Sequence, residues 1–135
     1  ERDHRVVRRH RRLVRLLVDT HVWLWWLAGE PLSKKAADLV ADPVNEVWLS
    51  SASVWEAAIK ASLGKLDVPE GALDASLGFD ELAIRWAHAE AVKELPLHHR
   101  DPFDRMIIAQ AQVESMTVVT RDHQFDAYEV QLVAA

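Results

Sequence analysis

Short apolar runs that give way to acids constrain this chain more than any other feature. Leu16-Leu17-Val18 stops at Asp19, Val47-Trp48-Leu49 leads into a serine-rich helix start, and Thr117-Val118-Val119-Thr120 precedes Asp122 by two residues. Runs this short, flanked by polar residues, predict strands buried on both faces. Longer segments with helical spacing separate them. Their alternation predicts an α/β fold, three layers deep, with helices on both sides of one central parallel sheet. In such a sheet the strand ends on one edge converge, so acids far apart in sequence become neighbours.

The intervening segments can be read in turn. Thr20 to Ala28 is a predicted helix stopped by Gly29, apolar almost all round through Val22, Trp23, Leu24, Trp25, Trp26 and Leu27. Three tryptophans exceed the needs of one buried face, which leaves a partner surface and internal packing both open. Ser33 is the predicted cap of a second helix, and Ser50-Ser51-Ala52-Ser53 opens a third that ends at Gly64. Phe79 to Ile84 is read as a short strand and Arg85 to Glu94 as a helix. Asp101-Pro102 starts another helix with Asp as N-cap and Pro at N1. Tyr128 to Val133 is read as the final strand.

Composition narrows the chemistry. The 135 residues, 50% of them hydrophobic, suit one domain with a real core. The absence of cysteine excludes disulfides, thiolate zinc sites and cysteine nucleophiles. Seven arginines fall within residues 1–15, leaving 9 basic against 19 acidic residues beyond them. Residues 1–14 are therefore read apart from a folded unit at 15–135. They are either a basic arm for nucleic acid or sequence ahead of a start at Val14. No apolar run reaches the ~20 residues of a membrane helix. The Arg-rich start has no following apolar segment of the secretory kind, and the chain is expected to be soluble and cytoplasmic.

Four acids carry the functional reading: Asp19, Glu56, Asp104 and Asp122. Brought together, they would raise one another's pKa values unless a cation sat among them, and a hard divalent ion held by oxygens is the simplest remedy. Each also has a structural reading. Asp19 suits a helix cap. Ser53-Val54-Trp55-Glu56 and Asp101-Pro102-Phe103-Asp104 both have capping-box spacing, and Glu56 has Lys60 at i,i+4. Lys60, Arg100, Arg105 and Arg121 lie beside these acids, either to grip a phosphate or to balance charge. His98-His99 is read as connector rather than as a ligand pair. With four scattered glycines there is no P-loop or dinucleotide fingerprint. A receiver-like phosphoacceptor is disfavoured because no lysine follows the late strands.

The segments Leu16 to Leu24, Ser50 to Lys60, His99 to Gln110 and Val118 to Asp122 resemble, in order, the motifs of PIN-domain ribonucleases, most closely toxins of the VapC type. The resemblance spans residues 15 to 135. It implies a compact α/β/α domain that binds Mg²⁺ or Mn²⁺ and cleaves RNA, with Asp19, Glu56, Asp104 and Asp122 as its acidic positions. Asp101 is the competitor for the third. It also implies a homodimer and a cognate antitoxin whose C-terminal segment covers the pocket. On this reading Asp19 and Asp104 ligate the principal ion, while Glu56 and Asp122 complete a second site or hold its waters. Thr20 and Thr120 would orient the ligands. A non-toxin PIN-fold nuclease of RNA processing, and a protein-binding module built on the Trp-rich helix, are the alternatives.

Overall fold

The computed structural model describes residues 13–68, 70–71 and 78–135. The expected basic arm falls almost wholly outside them. Five strands form one sheet: β1 (Arg15–Val18), β2 (Glu46–Ser50), β3 (Asp80–Leu82), β4 (Thr117–Thr120) and β5 (Gln131–Ala134). Their order is β3-β2-β1-β4-β5 and every pairing is parallel. Five α-helices cover it: α1 (Thr20–Leu27), α2 (Lys34–Ala41), α3 (Ser51–Ser62), α4 (Trp86–Val92) and α5 (Pro102–Glu114).

Strand periodicity divides the core in two. Along β1, Leu16 and Val18 face one side and Leu17 the other, since successive side chains alternate across a sheet. Leu16 and Val18 join Val22, Trp23, Ala36, Val47, Leu49 and Ala57, under α1, α2 and α3. Leu17 and Val118 join Ile107, Ile108, Ala111, Leu95 and Phe125, under α4 and α5. Leu16, Leu17, Ile107 and Ile108 are all fully buried. Each such side chain contributes about 1.5–3 kcal/mol relative to exposure. The three-layer α/β/α architecture is therefore as the alternation of apolar runs implies.

Local differences from the sequence reading have physical causes. Ser33 caps α2 as expected, its Oγ accepting from the Ala36 amide at 3.1 Å. The final strand begins later than Tyr128, because Asp122 caps a 3₁₀ turn over His123–Ala127 and Tyr128 closes it. The strand expected over Phe79–Ile84 pairs only through Asp80–Leu82, at the sheet edge. All three tryptophans of α1 find partners within the chain. Trp23 is 1% exposed, Trp26 meets Phe79 edge-on at 4.9 Å, and Trp25 lies 4.3 Å beneath the Arg121 guanidinium. Trp26 nonetheless stays 37% exposed, so both readings of the helix stand. Gln110 ends the third resembling segment without a role of its own, yet it is fully buried. It accepts from Ser50 Oγ at 2.5 Å and donates to the Leu82 carbonyl at 3.4 Å, fastening α5 to the ends of β2 and β3.

Candidate metal centre

Strand order fixes where a site can form. It reverses between β1 and β4, and the crevice beyond the C-terminal ends of such strands is where open α/β sheets bind ligands. Asp19 leaves β1 there and Asp122 follows β4. The Asp19 amide continues the ladder, donating to the Val119 carbonyl at 3.0 Å. Its carboxylate makes no capping hydrogen bond to α1, contrary to the structural reading of this residue. Instead Oδ2 accepts from Thr120 Oγ1 at 2.9 Å, while the buried Oδ1 has no partner. Thr120 Oγ1 also accepts the Asp122 amide at 3.0 Å, so one hydroxyl ties both acids to the sheet edge. Thr20, the other expected orienting threonine, donates to Ser53 Oγ at 2.8 Å.

Glu56 is not part of a capping box. Ser50, not Ser53, caps α3, accepting from the Ala52 amide at 3.0 Å. Ser53 therefore sits inside the helix, and Glu56 follows it on the same face, three residues on. The Glu56 carboxylate is buried, with Oε2 accepting from Lys60 Nζ at 2.8 Å and Oε1 left without a partner. The i,i+4 pair exists, but around a buried acid rather than on open surface.

Asp101 and Asp104 divide their tasks. Asp101 Oδ1 caps α5, accepting from the Phe103 and Asp104 amides at 2.8 and 3.1 Å. Asp104, 7% exposed, points its carboxylate elsewhere. Its Oδ2 lies 2.7 Å from His99 Nε2, which is itself 3.9 Å from Asp122 Oδ2. One ligand atom from each of His99, Asp104 and Asp122 falls within 4.8 Å of the others. The connector reading of His98-His99 thus holds for one residue only. His98 packs edge-on against the Tyr128 ring at 5.3 Å. His99 turns inward, its amide donating to the Tyr128 hydroxyl at 2.8 Å.

The acids feel one another. Burial, then the charges of Asp19 and Asp101, push Asp104 up to about 7 against the opposing pull of His99. Burial also raises Asp19, and Asp122 adds to that rise, while the Thr120 hydroxyl and His21 oppose it. Lys60 is raised by its bond to Glu56, with Asp101 and Asp104 contributing at longer range. The gathered ligand atoms of His99, Asp104 and Asp122, with Asp104 raised by burial and like charge, fit a hard divalent cation such as Mg²⁺ or Mn²⁺. Asp19 and Glu56 stand outside that close group, each with one buried carboxylate oxygen unpartnered.

Two of the neighbouring cations have structural duties. Arg105 donates to the carbonyls of Pro96 at 2.9 Å and Val92 at 3.1 Å, holding the connector ahead of α5. Arg121 donates to the carbonyls of Pro31 at 2.9 Å and Ala135 at 3.0 Å. Neither balances an acid at close range among the described residues. Among the described residues no helix is long and apolar enough to cross a membrane.

The family model described as PIN domain matches residues 16–131. Among solved structures, VapBC2 from Rickettsia felis, bound to a promoter DNA fragment, is similar with a TM-score of 0.70. It has 18% identity and covers 89% of this chain and 98% of that one. FitAcB from Neisseria gonorrhoeae aligns with a TM-score of 0.67 and 24% identity, over 88% of this chain and 96% of its own. A toxin–antitoxin complex from Klebsiella pneumoniae gives a TM-score of 0.65 and 20% identity, over 88% and 96%. No curated protein sequence matches significantly.

Proposed function

The chain belongs to the PIN-domain family, and from that premise we propose that it is a Mg²⁺- or Mn²⁺-dependent endoribonuclease acting in the cytoplasm as the toxin of a toxin–antitoxin pair. The observation that carries the chemistry is the cluster of His99, Asp104 and Asp122, whose ligand atoms lie within 4.8 Å of one another, with the buried, unpartnered oxygens Asp19 Oδ1 and Glu56 Oε1 as further donors. Asp19 and Asp104 would hold the principal ion, with Asp122 and Glu56 completing its surroundings. Once bound, the ion supplies an activated water and polarises a phosphoryl oxygen.

The protein's own groups set the geometry. Thr120 fixes the orientation of Asp19 through Oδ2 and leaves Oδ1 without a partner. Lys60 takes one oxygen of Glu56, leaving the other available. His99 holds Asp104 through Oδ2 and is a positioning residue on this account. His99→Ala is expected to weaken Mn²⁺ binding about 10–100-fold, the usual cost of losing a hydrogen bond that orients a ligand. Calorimetric titration of Mn²⁺ measures it; unchanged affinity removes His99 from the account.

The toxin reading draws on the similar solved structures, one of which is itself a toxin–antitoxin complex. It adds a protein antitoxin as partner. Expression should arrest growth, the product of a neighbouring gene should reverse the arrest, and purified protein should cut RNA only with a divalent metal present. RNA cleavage without any growth effect would favour an RNA-processing nuclease. A homodimer is part of the same reading, and the 94% exposed Trp86 at the start of α4 is the side chain best placed to anchor it. Trp86→Ala is then expected to shift the solution mass from two copies to one, read by light scattering. A variant that keeps the wild-type mass excludes this face.

A further inference from the structure

An aromatic cleft lies on the helices that carry Glu56 and Asp104. It encloses about 570 Å³ between α3, α4 and α5, and its lining includes Trp55, Leu97, Arg100, Pro102, Phe103 and Met106. Trp55 is 59% exposed, an unusual state for a tryptophan in the middle of a helix. Its ring meets Phe103 edge-on at 5.2 Å. Trp55 immediately precedes Glu56, and Phe103 immediately precedes Asp104. The two rings are therefore carried by the same two helices that deliver two of the four acids.

Arg100 supplies the second observation. Lys60 is taken by Glu56, and Arg105 and Arg121 by backbone carbonyls. Arg100 is exposed on the cleft wall, and no acid or carbonyl among the described residues holds its guanidinium. A guanidinium beside exposed aromatic rings is the pairing that single-stranded nucleic acid calls for: phosphate to the cation, base to the ring. On a body rich in acids, a free cation next to the cleavage point matters more than it would elsewhere.

We propose that Trp55, Phe103 and Arg100 form a nucleotide subsite that stacks one base of a single-stranded RNA next to the scissile phosphate, with Arg100 on a neighbouring phosphate. This rests on the RNA-cleavage reading and adds to it named contacts for one base and for its neighbouring phosphate. Stacking on Trp55 tolerates every base.

The test measures fluorescence anisotropy of a labelled, mixed-sequence single-stranded RNA dodecamer binding to the full chain carrying Asp19→Asn. Trp55→Ala is expected to weaken binding about tenfold or more, and Trp55→Phe to keep most of the affinity. Arg100→Gln should weaken binding about tenfold and reduce the salt dependence by about one released counterion. With Asp19 restored, both variants should raise KM for RNA cleavage more than they lower kcat. Unchanged affinity and unchanged KM overturn the subsite. So does Trp55→Ala reducing the solution mass from two copies to one, which would make the cleft a contact between copies. If the unsubstituted chain cuts no RNA with Mg²⁺ or Mn²⁺, the nuclease reading itself fails; cleavage that ignores both substitutions removes only the subsite.

Discussion

Asp19→Asn is expected to lower RNA cleavage at least about a thousandfold, equivalent to ~4 kcal/mol of transition-state stabilisation, while the protein stays folded. The amide has the shape of the carboxylate and keeps an oxygen for the Thr120 hydroxyl now bonded to Oδ2. What it loses is the negative charge at the buried Oδ1, which has no hydrogen-bond partner among the described residues. Burial already disfavours that charge, so removing it costs the metal-free fold nothing electrostatically. The substitution therefore separates function from stability. Cleavage rates of RNA, measured beside thermal unfolding of the same preparations, check both halves. Retained cleavage would remove Asp19 from the site, and a large fall in unfolding temperature would recast it as a structural residue.

The second large effect is a dependence of stability on pH that a metal should cancel. Asp104 is raised from 3.8 to about 7 by burial and by Asp19 and Asp101. A raised carboxyl means that the folded chain holds its proton where the unfolded chain has released it. Stability from this group is fully present below pH ~4 and is lost as pH rises through about 7, at up to ~1.4 kcal/mol per pH unit. The metal-free protein should thus lose roughly 2–4 kcal/mol across that window relative to Asp104→Asn, which cannot titrate there. At neutral pH, Mn²⁺ at a hundred times its Kd should restore about 2.7 kcal/mol to the wild type and much less to the variant. Thermal unfolding in chelator, then in Mn²⁺, between pH 4 and 8 gives the comparison. Parallel curves for the two proteins would contradict a strained acidic cluster.

The architecture was legible because strand periodicity is local. Leu16, Leu17 and Val18 say from their own alternation that β1 is buried on two sides, and the structure places helices on both. The convergence of Asp19 and Asp122 follows from parallel crossovers alone. Long-range hydrogen bonds were harder to foresee. Nothing near His99 in sequence announces that it faces Asp104 while His98 does not, since the hydroxyl of Tyr128, 29 residues away, fixes the connector. Glu56 looked like half of a capping box because Ser53 has the right spacing. Ser50, three residues earlier, takes the cap, and the choice between equivalent serines depends on where β2 ends. Gln110 gave no signal, since its partners are Ser50 and the Leu82 carbonyl on other elements. For the tryptophans of α1, composition leaves packing and partner contact equally open; Phe79 and Arg121 meet two of the rings, and Trp26 stays partly exposed.

Soaking crystals of the protein in Mn²⁺ and locating the ion by its anomalous scattering examines the shared premise most directly. The ion should appear in the crevice beyond β1 and β4, about 2.1 Å from carboxylate oxygens of Asp104 and Asp19. A fully soaked crystal with no ion among these side chains, or with Mn²⁺ bound only at some other face, would contradict it.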